Sequence, residues 1–260
     1  MFTKEDMWLS PEILNWQAEI GGALILNESL WKRAHEIWFH AEQVLSSSTT
    51  EFQRVDVITT LKRAVDQRVR MLNDLYSFRS IPIRDKPSDT LNLLEFVGVL
   101  RPLMLQKLID IRNTVEHEDA APPDQEACQV FCELTWYFLR STDRLTRLVV
   151  KDLELRPPDE DPNYWLTLHA GPEYNWVPKL WGWITPNLIS DVPKEHWMAS
   201  LVGKIETREE AFARFKESGA ESSLDEEGRG RNPDDMFISA EIRGPSDALT
   251  RLVKIYFAVA

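Results

Sequence analysis

The seven residues Arg156 to Pro162, R-P-P-D-E-D-P, constrain this chain more than any other stretch, because three prolines and three acids in a row of seven stop both a helix and a central strand. The two sides of this break carry different periodicities. Before it, apolar residues recur every three or four positions. After it, short tryptophan-rich runs alternate and are punctuated by proline and glycine.

On the first side, Ser10-Pro11-Glu12 reads as a helix start with proline in the first turn, and Gly21-Gly22 interrupts that segment. From Asn27, an N-cap residue, Leu30, Trp31, Ala34, Ile37, Trp38, Ala41 and Leu45 form one stripe that ends at the polar run Ser46 to Thr50. A long helix over 51–78 buries Phe52, Val55, Ile58, Leu61, Val65, Val69 and Leu72, and turns Arg54, Lys62, Arg63 and Arg70 toward water. The stretch 91–116 is helical but broken near Gly98 and Pro102, and the A-A-P-P turn at 120–123 ends it. Asp124 then caps a helix expected to run to about Leu153.

Beyond the break, Tyr164 to His169 and Lys179 to Thr185 read as strands, and Thr207 caps a short helix ending near Ser218. Gly219 to Asp235 is polar, while Met236 to Arg243 and Leu252 to Val259 read as a final antiparallel pair. The expected fold class is therefore α+β: an N-terminal all-α helical bundle over 1–155, with an extension over 1–50 and a core over 51–153, and a smaller mixed α/β or β-rich domain over 163–260.

Charge and cysteine content narrow the function. A net charge of -12 argues against general binding to nucleic acid by charge alone. It leaves room for a local basic cleft, since Glu51 to Lys86 holds eight Lys/Arg against five Asp/Glu. Cys128 and Cys132, four apart, read as small buried hydrophobes, and no second pair completes a zinc ligand set. His35 and His40 are one residue too far apart for the H-E-x-x-H zinc spacing, so no metal or other cofactor is expected. The acidic N-terminus and the lack of an apolar run near 20 residues point to a cytoplasmic protein with no membrane association.

The chemistry concentrates in Ile111 to His117, I-R-N-T-V-E-H, at the end of a helix. Five residues of helix rotate by about 140°, so Arg112 and His117 share no narrow face. A site that uses both needs a frayed last turn or a second copy of the motif opposite. An arginine and a histidine at a helix C-terminus also complement its negative end, which is a purely structural use of the same residues.

The pattern Arg112-Asn113-x-x-x-His117, closing one helix before a proline turn into another, resembles the R-N-x(3)-H form of the HEPN family motif, over roughly residues 27–153. That resemblance implies a HEPN-like helical bundle. It further implies a metal-independent endoribonuclease, a toxin or antiphage effector, acting as a homodimer through the helical domain with two motifs facing across a composite cleft. His117 would be the general acid or base, Arg112 would hold the scissile phosphate, and Asn113 would orient one of these groups. Arg54, Lys62, Arg63 and Arg70 would supply positive charge to the RNA substrate. Products would carry 2',3'-cyclic phosphate and 5'-hydroxyl ends, and an antitoxin or sensor partner would restrain the activity. Glu116 and Glu118 beside His117 count against RNA binding. The alternative is a non-catalytic HEPN-like module for dimerisation or for binding a partner or nucleotide.

Trp165, Trp176, Trp181, Trp183 and Trp197 suit either a small-domain core or stacking on a ligand, and core is the commoner use.

Overall fold

The computed structural model describes residues 6–118, 121–158, 164–218 and 232–259. Two compact units divide the chain: one is Leu24–Arg79 with Asp85–Val149, the other takes the residues up to Ala23, then Ser80–Arg84 and Val150–Val259.

The first unit is helical. Its helices are α1 (Glu28–Ser46), α2 (Glu51–Tyr76), α3 (Thr90–Phe96), α4 (Leu103–Glu118) and α5 (Gln125–Arg147). Each start that the side chains define has a polar cap. Asn27 accepts from the Ser29 amide (3.0 Å), Asp89 from Asn92 (2.9 Å) and Asp124 from Ala127 (2.8 Å). Thr50 and Gln53 form a reciprocal capping box at the head of α2. At its other end α2 stops where Ser77 turns left-handed, φ 45.

The apolar stripes then meet. Ala34, Ala41 and Leu45 of α1, Ile58, Leu61 and Val65 of α2, Leu105 and Leu108 of α4, and Phe131, Phe138 and Leu139 of α5 bury one another. Two interior polar groups find backbone partners: the Trp38 indole donates to the Cys132 carbonyl (2.8 Å) and the Tyr76 hydroxyl to the Leu145 carbonyl (2.9 Å).

The second unit is built on an antiparallel sheet. Its strands are β1 (Asp6–Leu9), β2 (Gln17–Ile25), β3 (Leu148–Arg156), β4 (Trp165–His169), β5 (Lys179–Ile184), β6 (Ile189–Ser190), β7 (Met198–Thr207) and β8 (Met236–Gly244), in the order β2-β3-β4-β5-β8-β7-β1-β6. Two helices accompany it, α6 (Arg208–Glu217) and α7 (Ser246–Val259). The tryptophans mostly fill this core: Trp183 meets Phe237 edge-on at 5.2 Å beside Phe215 of α6, and Trp176 stacks on Phe257 of α7 at 5.5 Å. Gly182 is required where β5 pairs closely with β4, opposite Leu166. Its φ is +148, and a Cβ there would lie 2.2 Å from the Trp165 carbonyl.

The expectation of an all-α N-terminal bundle joined to a smaller C-terminal domain is overturned. Strands β1 and β2 lie inside the first 25 residues, where Ser10-Pro11-Glu12 opens only a 3-10 turn over Pro11–Asn15 between them. β1 pairs with β7 and β6, placing Leu9 opposite Met198 and Ile189, a pairing no local pattern can show. The helix expected to reach Leu153 ends at Arg147, because Leu148-Val149-Val150 enter β3 instead. The sheet-bearing unit is also the larger of the two.

A second correction concerns the C-terminus, where Leu252 to Val259 belongs to α7 and not to a strand. Leu249, Leu252, Val253, Tyr256 and Phe257 are buried at helical spacing. The polar run after Ser218 falls for the most part, over 219–231, outside the described residues.

Candidate functional site: the end of the motif helix and a buried charge cluster

The motif helix α4 is held by its inner side. Leu105 and Leu108 are buried, and Ile109 and Ile111 pack partly against the same core. The chain beyond the helix is anchored at several points. Arg54 Nε of α2 donates to the Pro123 carbonyl (3.0 Å), Gln125 Nε2 donates to the Leu45 carbonyl (3.0 Å), and Ser48 Oγ donates to Gln125 Oε1 (2.8 Å). These bonds fix where α5 begins relative to α1 and α2, beside the loop that leaves the motif.

α4 runs without a break to Glu118. The motif therefore stays helical, and the backbone turns positions 112 and 117 about 140° apart. Asn113 and His117, four apart, share a face that Arg112 does not. Asn113 is exposed. The side chains of Arg112, Glu116, His117 and Glu118 lie outside the described part of the structure, so the backbone alone places them.

The basic residues of α2 do not form one patch. Arg63 and Arg70 are seven apart and project from the same face, whereas Arg54 is rotated about 180° from Arg63. Arg54 is spent on the Pro123 carbonyl, Lys62 pairs with Asp66, and Arg70 Nε reaches the Asp66 carbonyl at 3.4 Å.

The strongest charge constellation among the described residues lies elsewhere, and its centre is Asp143 of α5. Arg68 of α2, with a fully buried side chain, donates to Asp143 Oδ1 (2.9 Å) and to the Leu139 carbonyl, Thr142 Oγ1 and Thr146 Oγ1 (3.1 Å each). His35 Nε2 of α1 meets the same carboxylate oxygen at 2.8 Å, while Arg140 and Arg147 approach the other at 3.2 and 3.4 Å. Burial pushes the Asp143 carboxyl up, but the hydrogen bonds from His35 and Arg68 outweigh it and hold it below its ordinary value. Burial likewise lowers the Arg68 guanidinium, against the pull of Asp143.

A reading of the local pattern passes over this cluster, yet one signal was present. Arg68 falls on the apolar stripe Leu61, Val65, Leu72, and Thr135, Thr142 and Thr146 sit on the buried side of α5. A cation inside such a stripe demands a buried acceptor set.

The other candidates are occupied structurally. His35 is engaged by Asp143, away from any pairing with His40. Burial raises both cysteine thiols, Cys132 to about 11, which suits them to packing and not to nucleophilic work. On the sheet, His169 Nδ1 (2.5 Å) and the Tyr174 hydroxyl (3.1 Å) share Asp152 Oδ1, tying β4 and the next turn to β3. Among the described residues no helix is long and apolar enough to cross a membrane.

Compared with known proteins, the chain matches no family model, no curated protein and no solved structure.

Proposed function

We propose that this chain is a cytoplasmic, metal-independent endoribonuclease of HEPN type, working as a homodimer whose site combines two copies of Arg112, Asn113 and His117. The observation that carries this reading is the unbroken helix through Glu118, which turns Arg112 away from Asn113 and His117 and so calls for a second copy to complete the site. In such a site His117 of one copy accepts the proton of an RNA 2'-hydroxyl as its oxygen attacks the adjacent phosphorus and returns a proton to the 5'-oxygen as that leaves, while Arg112 of the other copy faces the phosphate. An imidazole suits both halves because its unperturbed pKa is about 6.5. The Arg112 guanidinium offsets charge on the phosphorane oxygens. The cyclic phosphate and 5'-hydroxyl ends result from this bond exchange. A toxin or antiphage role, restrained by an antitoxin or sensor partner, fits an activity of this kind.

A non-catalytic dimerisation or partner-binding module is the second reading, and the net charge of -12 favours it. The test is cleavage of mixed RNAs in EDTA by the full chain, by Arg112→Ala, by His117→Ala and by a refolded mixture of the two variants. Each variant alone is expected to be inactive. The mixture should recover activity, because a mixed dimer retains one site with an intact arginine and an intact histidine from different chains. A wild-type chain that cuts no RNA would overturn the enzyme reading. Activity lost in the variants but never recovered on mixing would overturn the composite site.

A further inference from the structure

The outer face of α5 carries a feature that the motif does not use. Trp136, Tyr137, Arg140, Arg144 and Arg147 fall within about 100° of one another around the helix. Trp136 and Tyr137 are 36% and 60% exposed and meet edge-on at 5.0 Å. Arg140 lies over the Trp136 ring at 5.7 Å, and Arg147 lies over Trp31 of α1 at 4.0 Å. Arg140, Arg144 and Arg147, with Asp143 and Leu148, line a cavity of about 320 Å³, within the range of ligand pockets.

The charge balance there runs against that of the whole chain. Asp143 is the acid of the cavity, and buried Arg68 already answers its charge. The three surface guanidiniums are therefore in excess on a protein of net charge -12. Asp143 also holds Arg140 and Arg147 in place at 3.2 and 3.4 Å, so these cations are positioned at the cavity mouth. Glu133, one turn before Trp136, marks the acidic end of the face.

We propose that this face binds a phosphate-linked single strand, with phosphates at Arg140, Arg144 and Arg147 and bases stacked on Trp136 and Tyr137; that the strand is RNA rests on the ribonuclease reading. A row of cations beside a pair of exposed rings matches what a single strand offers: phosphates at regular intervals and a π-face on every base. On α5 the near end of the face, Trp136, is eleven residues or about 16 Å from Gln125, and Arg144 about 28 Å, so the face stands away from the loop that leaves the motif. It would grip substrate at a distance from the cut, adding affinity without entering the chemistry.

The experiment is fluorescence anisotropy of the full chain with a labelled 2'-O-methyl oligouridylate, which cannot form the cyclic phosphate and so is not consumed. Wild type should bind with salt-dependent affinity. Trp136→Ala should weaken binding about 5- to 150-fold, the loss of one stacked base. Arg144→Gln should reduce the slope of log affinity against log salt by about 0.7, and Arg144→Lys should restore it. Both side chains are exposed, and unchanged thermal unfolding would show the variants folded.

No binding by wild type, or wild-type affinity and slope in both Trp136→Ala and Arg144→Gln, overturns the proposal. So does a Trp136→Ala chain that changes only its sedimentation, which would make this face a self-association surface. Cleavage of unmodified RNA is read separately. His117-dependent cutting with a silent α5 face sinks this proposal alone, and binding through the face without any cutting sinks the nuclease alone.

Discussion

Two arginine–histidine clusters in the helical unit are opposites. At the end of α4, Arg112, Asn113 and His117 are neighbours in sequence, yet an unbroken helix keeps the arginine and the histidine apart. Around Asp143, residues 35, 68 and 143 are far apart in sequence, yet three helices bring them within 2.9 Å of one carboxylate oxygen. Closeness in the chain is thus a poor guide to closeness of charged groups. A local motif names residues that the helix backbone turns apart, while an assembled cluster shows locally only as an arginine on an apolar stripe. The contrast bears on the proposed function: the first arrangement is the one for which we propose a site shared between copies, and the second holds α1, α2 and α5 in register.

The largest effect expected on either side is catalytic. His117→Ala should lower RNA cleavage about 100- to 10,000-fold, as loss of a general acid or base does, with the thermal midpoint unchanged. A folded His117→Ala chain that cuts at the wild-type rate would remove the chemical role of the motif.

Asp143→Ala should act the other way, through stability. It strands the buried Arg68 guanidinium and should cost about 3–5 kcal/mol, read from urea unfolding. The double variant Arg68→Met, Asp143→Leu should recover most of that loss, because the penalty lies in the unpaired charge. If Asp143→Ala costs less than about 1 kcal/mol, within the range of an exposed pair, the cluster is not a structural knot.

A smaller effect comes from pH. The fold holds the Asp143 carboxyl below its ordinary value, so its contribution is complete above the unfolded-state pKa of about 4 and is lost as pH falls through the lower folded-state value. Wild-type stability should therefore drop on acidification below about pH 4, and Asp143→Asn should drop less steeply over the same window. Equal slopes for the two chains would show that Asp143 titrates alike in the folded and unfolded states.

The smallest effect tests the setting of the motif. Asp124→Ala removes the cap of α5 directly after the motif loop and should cost about 1 kcal/mol. If the loop matters to the site, cleavage should fall by more than that loss of stability explains.

How much could be read in advance varies with the range of the interactions. Helices α1, α2 and α5 arise from apolar residues at three- and four-residue spacing behind Asn27, Thr50 and Asp124, since stripe and cap are both local. Strands β4 and β5 were legible as alternation bounded by proline and glycine. β1 was not, because four residues become a strand only when Leu9 finds Met198 and Ile189. α7 shows a different failure: β-branched and aromatic content suggests a strand, while the buried spacing 249, 252, 253, 256, 257 is helical.

By itself, then, the sequence determined the local periodicities, the caps, the proline break and the presence of an Arg-Asn-x(3)-His motif near the end of a helix. Only the tertiary structure decided that residues 6–9 and 17–25 join a sheet, that α5 gives way to β3 at Leu148, and that Arg68 and His35 converge on Asp143. The physical reason is common to all three. Strand pairing and buried ion pairs draw their stability from partners distant in the chain, and a pattern confined to neighbours carries no record of which distant residue will supply the other half.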